Sequence, residues 1–272
     1  MGRWLACLGL AAALVSGAAR AADATEQALD EYRDMFGDEN PAELWELRGQ
    51  ALWTEKRGPR QADLTACDLG LGPGVVAGAY AQLPRWFDDT GRVEDLEMRL
   101  VTCITRLQGY TEAEVLARRF GDGDKKSDLE ALSVYIAKAS SGQPVNIPLR
   151  HSAEQRAYAL GEAAFFYRAG PHDFACATCH GDNSKRIRLQ SLNKLSEAEG
   201  ARRSYTQIPA YRTSQGEVRT IGWRLYDCFR QQRLPELRFG SEVAVGLSLY
   251  LARNAEGGVM AAASVEMLRE FF

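Results

Sequence analysis

The stretch Cys176-Ala177-Thr178-Cys179-His180 has the residue types and spacing of a covalent haem site. In C-x-x-C-H the two cysteines become thioethers on the haem vinyl groups, and the adjacent histidine is brought beneath the iron. The motif fixes one axial ligand. The identity of the second separates electron carriage from chemistry on a substrate.

The candidates for that second ligand are of three kinds. The histidines of the chain are His151, His172 and His180, so a bis-histidine iron would need one of the first two, and His172 stands only four residues before Cys176. Met260 and Met267 lie downstream, where the thioether ligand of electron-carrying c cytochromes could lie. The same two side chains would also fill gaps in a packed terminal helix. The third candidate is Cys228, with Arg224, Arg230 and Arg233 around it and Arg238 beyond. Guanidinium groups beside a sulfur favour its thiolate and offer a small oxyanion a fork of donors. Asp227 and Glu236 are also present to pair with those arginines. On a helix, the four-residue spacing puts Arg224 and Cys228 on one face. A thiolate ligand stabilises ferric iron and lowers its potential, which suits an anion meeting sulfur better than it suits a general electron carrier.

The elements that must position these residues come from an internal repeat. Laying Gly58-Pro59 over Gly170-Pro171 places Leu64 on Cys176, Cys67 on Cys179 and Asp68 on His180. The first half therefore lacks one thioether cysteine and the iron histidine, and should bind no haem. The pattern R-L-x-x-C then recurs at Arg99 to Cys103 and at Arg224 to Cys228. A third block sets Leu132, Tyr135 and Lys138 against Leu247, Tyr250 and Arg253. By this alignment Cys67 and Cys103 occupy a haem-attaching position and the counterpart of Cys228. Both face one pocket, and without haem they can pair. That pairing leaves Cys228 as the odd sulfur, a haem ligand on this reasoning, with an inert buried thiol or an intermolecular disulfide as the alternatives.

Periodicity predicts helices over Glu43 to Trp53 and over Ala153 to Tyr167, the second with Ser152 as N-cap and Gln155 at its third position. A third carries the apolar face of Val243, Leu247, Tyr250 and Leu251, and Gly257-Gly258 stop it. Alternating runs typical of strands are scarce. The expected fold is all-α, two tandem cytochrome c-like domains: residues 22–145 without haem and 146–272 with it. Glycine, prolines and small polar residues between Ser140 and Arg150 mark the join.

The first 21 residues read as an export signal, with an apolar run from Trp4 to Ala19 that includes Cys7 and an A-x-A cleavage site at Ala19-Arg20-Ala21. The run is too short to anchor the chain, so no membrane span is expected in the mature protein. Export also suits c-type haem and permits disulfides. A net charge of −3 with dispersed basic residues excludes nucleic acid as a partner.

The stretches "LWTEKRGP", "CDLGLGPGVVAGAYAQLPRWFDDTGRVEDLEMRL", "FACATCHG" and "RLYDCFRQQRLPEL" resemble the SoxA family, the larger haem subunits of SoxAX complexes in bacterial sulfur oxidation. The resemblance runs over nearly all of the mature sequence. It implies a periplasmic L-cysteine S-thiosulfotransferase acting as a heterodimer with a SoxX-like cytochrome. Such an enzyme joins thiosulfate oxidatively to a cysteine of the carrier SoxYZ and passes electrons to the SoxX haem. It also implies one covalent haem c on Cys176 and Cys179, His180 as proximal ligand, Cys228 as distal ligand and persulfide, and Arg224 as the substrate-binding arginine. Some members of the family carry a second C-x-x-C-H in the first domain. This chain, with Leu64 and Asp68 there, resembles the single-haem branch with a Cys67–Cys103 disulfide. The competing readings are a periplasmic electron-transfer cytochrome with methionine ligation, and a docking platform whose haem is structural.

Overall fold

A computed structural model describes residues 40–122, 125–187, 190–212, 214–261 and 265–266. The expected signal peptide at 1–21, Cys7 and Met267 lie outside the described residues. In chain order the elements are α1 (Ala42–Thr54), β1 (Arg85–Phe87), β2 (Arg92–Glu94), α2 (Leu96–Cys103), α3 (Glu112–Leu116), α4 (Asp128–Lys138), α5 (Ser152–Phe166) and α6 (Cys176–His180). There follow β3 (Arg186–Ile187), β4 (Gln190–Ser191), α7 (Ala198–Tyr205), β5 (Ala210–Arg212), β6 (Glu217–Arg219), α8 (Ile221–Gln231), α9 (Glu242–Asn254) and β7 (Val265–Glu266). Helices dominate. The strands, which sequence periodicity did not indicate, are three residues or fewer and form hairpins β1–β2, β3–β4 and β5–β6, with β7 added parallel to β5.

Two helix pairs build the core, α1 against α4 and α5 against α9, and both cross at a glycine. A Cβ on Gly49 would stand 2.1 Å from the Ala131 carbonyl oxygen, and one on Gly161 would stand 1.9 Å from that of Gly246. Neighbouring aromatic pairs repeat as well: Trp53 meets Tyr135 at 6.2 Å between ring centroids, and Phe165 meets Tyr250 at 5.2 Å. Because backbone oxygen opposes the added methyl, Gly161→Ala is expected to cost about 2–3 kcal/mol of stability. Thermal denaturation checks this, with Ala163→Gly on the exposed face of the same helix as a propensity control.

The turn after each leading helix is also shared. Arg57 pairs with Ala62 as Ala169 does with Phe174, with Gly58 at φ 71° and Gly170 at φ 72°. A longer correspondence then runs from Tyr80 to Cys103 and from Tyr205 to Cys228. In each, a hairpin with a glycine at φ 63° (Gly91, Gly216) leads into a helix whose N-cap side chain accepts from the third residue on. Asp95 accepts from Met98 N, and Thr220 from Trp223 N. Tyr80 and Tyr205 stack on one another at 6.1 Å, nearly parallel.

Cys67 and Cys103 form a disulfide with their Cα atoms 5.5 Å apart, and both sulfurs are buried. Arg99, the counterpart of Arg224, is 5% exposed and held by Asp89 at 2.9 Å, by the Asp68 carbonyl and by the face of Phe87. Asp68 accepts from the amides of Gly70 and Gly72.

One local expectation changes. The N-cap of α5 is His151 rather than Ser152: its ring nitrogen accepts from Ala153 N, and Glu154, not Gln155, closes the capping box onto the His151 amide. The segment whose composition marks the join is tied down by backbone bonds. Gly142 N donates to Met260 O, Val145 N to Gly258 O and Met260 N to Gln143 O, while Val145 and Ile147 are buried. Composition marks a turn, whereas these bonds join positions more than a hundred residues apart.

Between the halves lie buried acids. Burial pushes Glu97 up to about 8, Glu130 to about 7 and Asp95 to about 6. Arg219, at 3.2 Å, opposes the shift of Glu130. An acid that ionises less readily folded than unfolded contributes stability that is complete below its unfolded value and lost as pH rises through its folded one. The melting temperature is therefore expected to fall between about pH 5 and about pH 8, and Glu130→Gln to flatten that fall. A melting temperature that rises across this window contradicts the assignment.

Candidate haem and sulfur site

The C-x-x-C-H segment forms the single turn α6, and its own threonine sets the start: Ala175 N donates to Thr178 Oγ1 at 2.9 Å. His180 is fixed at two points by the segment before α7. Its carbonyl accepts from Leu195 N at 3.0 Å, and its Nδ1 lies 3.1 Å from the Asn193 carbonyl. A carbonyl can only accept, so Nδ1 carries the hydrogen and Nε2 keeps its lone pair for a metal. Burial lowers the His180 pKa, favouring the neutral ring that ligation needs. Asn193 is in turn bonded to Ser204, and Leu195 O accepts from Asn254 at the end of α9.

The α8 helix brings Cys228 to the same place. Cys176, Cys179 and Cys228 stand near enough to hinder one another's ionisation, and Arg224, Asp227 and Arg212 also act on that of Cys228. Arg224 and Cys228 share the α8 face as their spacing predicts. Cys228 is exposed to solvent, yet protein atoms crowd it closely enough that desolvation raises its thiol pKa, with Arg224 pulling the other way. The guanidinium spacing predicts a favoured thiolate; in the fold, desolvation outweighs it. Metal ligation would deprotonate such a thiol outright. Cys176 is pushed up to about 12, chiefly by burial. Thioether formation removes that proton.

The other candidates take different positions. Met260 is 2% exposed and packs in the core. His151 caps α5 and stacks on Trp86 at 4.1 Å between ring centroids, and exposed His172 lies beside Phe174. Arg230 pairs with Asp227 at 2.8 Å, and Arg233 and Arg238 are exposed. Sequence reasoning missed Asn193 and Arg212. Neither belongs to a motif, and both come from segments that fold back over the site.

The donor set of the second half fits haem c: two thiols on one helical turn, a neutral imidazole with its outer nitrogen engaged, and a further sulfur near the attachment cysteines. The first half does not fit it, with Leu64 and Asp68 at the corresponding positions and its two sulfurs bonded to each other.

The chain is similar to known proteins over most of its length. A family model described as SoxA/TsdA, cytochrome c domain, matches residues 48–145, the half with no C-x-x-C-H. The chain is 47% identical over 234 residues to the L-cysteine S-thiosulfotransferase subunit SoxA of Hydrogenophilus thermoluteolus, covering 86% of this chain and 85% of that protein. It is 30% identical over 223 residues to a SoxA subunit of Hydrogenobacter thermophilus, covering 81% and 80%. Among solved structures, SoxXA from P. pantotrophus superposes with a TM-score of 0.68 at 22% identity, over 87% of this chain and 83% of that one. The helix-rich cytochrome c-like fold is therefore common to both, and a cytochrome c domain implies haem c.

Proposed function

The chain belongs to the SoxA family, and from that membership we propose that it is the catalytic cytochrome subunit of an L-cysteine S-thiosulfotransferase. Cys176 and Cys179 would hold one haem c, with His180 and Cys228 the residues that would ligate its iron. The observation that carries this reading is the convergence of Cys228, on α8, with the attachment cysteines of α6 and with Arg224. When bound, the haem would take up electrons one at a time, so the two electrons of each turnover would leave in succession to the cytochrome partner. The reaction itself is assigned to this chain's side chains.

Arg224 binds the sulfonate oxygens of thiosulfate, placing its sulfane sulfur against Cys228. An S–S bond forms between the two sulfurs, the Cys228 proton is lost and two electrons leave. The thiolate of the carrier cysteine then attacks the sulfane sulfur. A new S–S bond to the carrier forms, the bond to Cys228 breaks, and Cys228 regains its starting state. Cys228 can equally begin as a persulfide, a reversible cap on a reactive thiolate; the terminal sulfur then takes the same role. The electron acceptor is a SoxX-like cytochrome partner, the group acceptor a SoxYZ-like carrier, and the compartment the periplasm.

The repeated turns, helix crossings and hairpin-helix units support a tandem origin, with residues 22–145 the haem-less domain and 146–272 the haem domain. The Cys67–Cys103 bond supports a scaffolding role for the first. Mass spectrometry of the purified mature subunit tests the set: it is expected to show cleavage before Ala22, one haem, one disulfide and additional sulfur on Cys228. A second haem, or a Cys228 joined to another chain, would overturn it.

A further inference from the structure

The helix that carries Arg224 and Cys228 begins against a side chain from the other half of the molecule. Glu97, on α2, is 2% exposed and accepts twice, from Thr220 Oγ1 at 2.8 Å and from Gly222 N at 2.8 Å. Thr220 Oγ1 also accepts from Trp223 N at 3.2 Å, and the Thr220 carbonyl accepts from Arg224 N at 3.0 Å. Two of the amides that a helix start leaves without partners are thus satisfied, one directly and one through the threonine, by a carboxyl group from the other half of the molecule.

The fit is reciprocal. Gly222 is the counterpart of Glu97 in the hairpin-helix repeat, and a Cβ there would stand 2.6 Å from Glu97 Oε2. One half supplies the carboxylate and the other the space for it. The surroundings of Glu97 include Asp95, Glu130, Tyr80, Tyr205 and a small cavity of about 10 Å³ bordered by Ser133 and Ser248.

We propose that Glu97 is a positioning residue of the sulfur centre, capping α8 from the opposite half and so setting where Arg224 and Cys228 stand. This rests on the roles given to those two residues above. Glu97 is buried against the start of α8. It acts through Thr220, whose carbonyl holds the Arg224 amide, and through the start of the helix along which Cys228 lies two turns further on.

The test uses the whole complex with Glu97→Ala and Glu97→Gln. Three quantities are read: amide hydrogen exchange in residues 221–225, the electron paramagnetic resonance signal of the ferric haem, and KM and kcat for thiosulfate. Glu97→Ala is expected to speed exchange in 221–225 about tenfold or more, to split the haem signal into two populations and to raise KM about tenfold. Glu97→Gln, which keeps an acceptor for Gly222, is expected to restore most of all three. If Glu97→Ala does not fold, Gly222→Ala displaces the carboxylate from the other side and is expected to give the same changes.

Unchanged exchange in the alanine variant overturns the cap. Faster exchange with unaltered haem signal and KM reduces Glu97 to a structural residue and equally overturns the proposal. If instead Cys228→Ala retains full turnover, the catalytic reading fails by itself, while exchange and the haem signal still decide what Glu97 does to the helix.

Discussion

Cys228→Ala is expected to reduce thiosulfate-dependent turnover by about a thousandfold or more, the scale of losing a covalent nucleophile, while haem remains attached. The attachment residues are on α6 and the sulfur on α8, so removing it leaves both thioethers and His180 with its Asn193 contact in place. The stability of the haem-free protein should change little, because there Cys228 is exposed and its side chain contributes little to the core. With Cys228 as the proposed iron ligand, absorption spectra should nonetheless change. Cys228→Ser separates the two roles of the sulfur: an oxygen can occupy the position but cannot carry the sulfane group, so turnover should remain near that of alanine. Retention of more than about a tenth of wild-type turnover by either variant would remove the sulfur from the reaction.

Arg224→Ala is expected to lower kcat/KM for thiosulfate by about a hundredfold, the equivalent of roughly 3 kcal/mol for charge-assisted hydrogen bonds to an anion in a partly desolvated site. Most of the effect should fall on KM, because the sulfonate keeps its charge from ground state to transition state and the guanidinium binds both. Haem content should not change. Arg224→Lys should recover only part of the loss, since an ammonium cannot present two parallel donors to the sulfonate. A second consequence is local to the sulfur. Arg224 opposes the desolvation that raises the Cys228 pKa, so its removal should slow alkylation of the haem-free protein at Cys228. Equal kcat/KM for wild type and alanine variant would leave anion binding to another group, with Arg212, also in charge contact with Cys228, the next to replace.

Much of this site was legible because its chemistry is local. C-x-x-C-H is contiguous, and the four-residue step from Arg224 to Cys228 needs only a helix to become a shared face. The pairing of Cys67 with Cys103 followed from an alignment, because the halves kept the places of their sulfurs. The repeat was nevertheless seen only in part. From Tyr80 to Cys103 and Tyr205 to Cys228 the halves preserve roles more than residue types: Asp95 and Thr220 are both caps, and Trp86 and Tyr211 both lie in hairpin strands. Substitutions of that kind leave little for residue matching to find. Glu97 could not be inferred at all, since its partners are more than 120 residues away and no local pattern announces such a bond. The cap of α5 was misplaced by one residue because histidine seldom takes that position, and here Trp86 stacks on its ring.

The clasp between residues 142–145 and 257–260 bears on how the molecule can be taken apart. Residues 146–272 excised on their own would keep the far side of the clasp but lose Val145, leaving a raw backbone edge and an uncovered apolar surface. Neither half is then a transplantable module. Shuffling among relatives would have to exchange the connector and the final turn together, as a lock with its key.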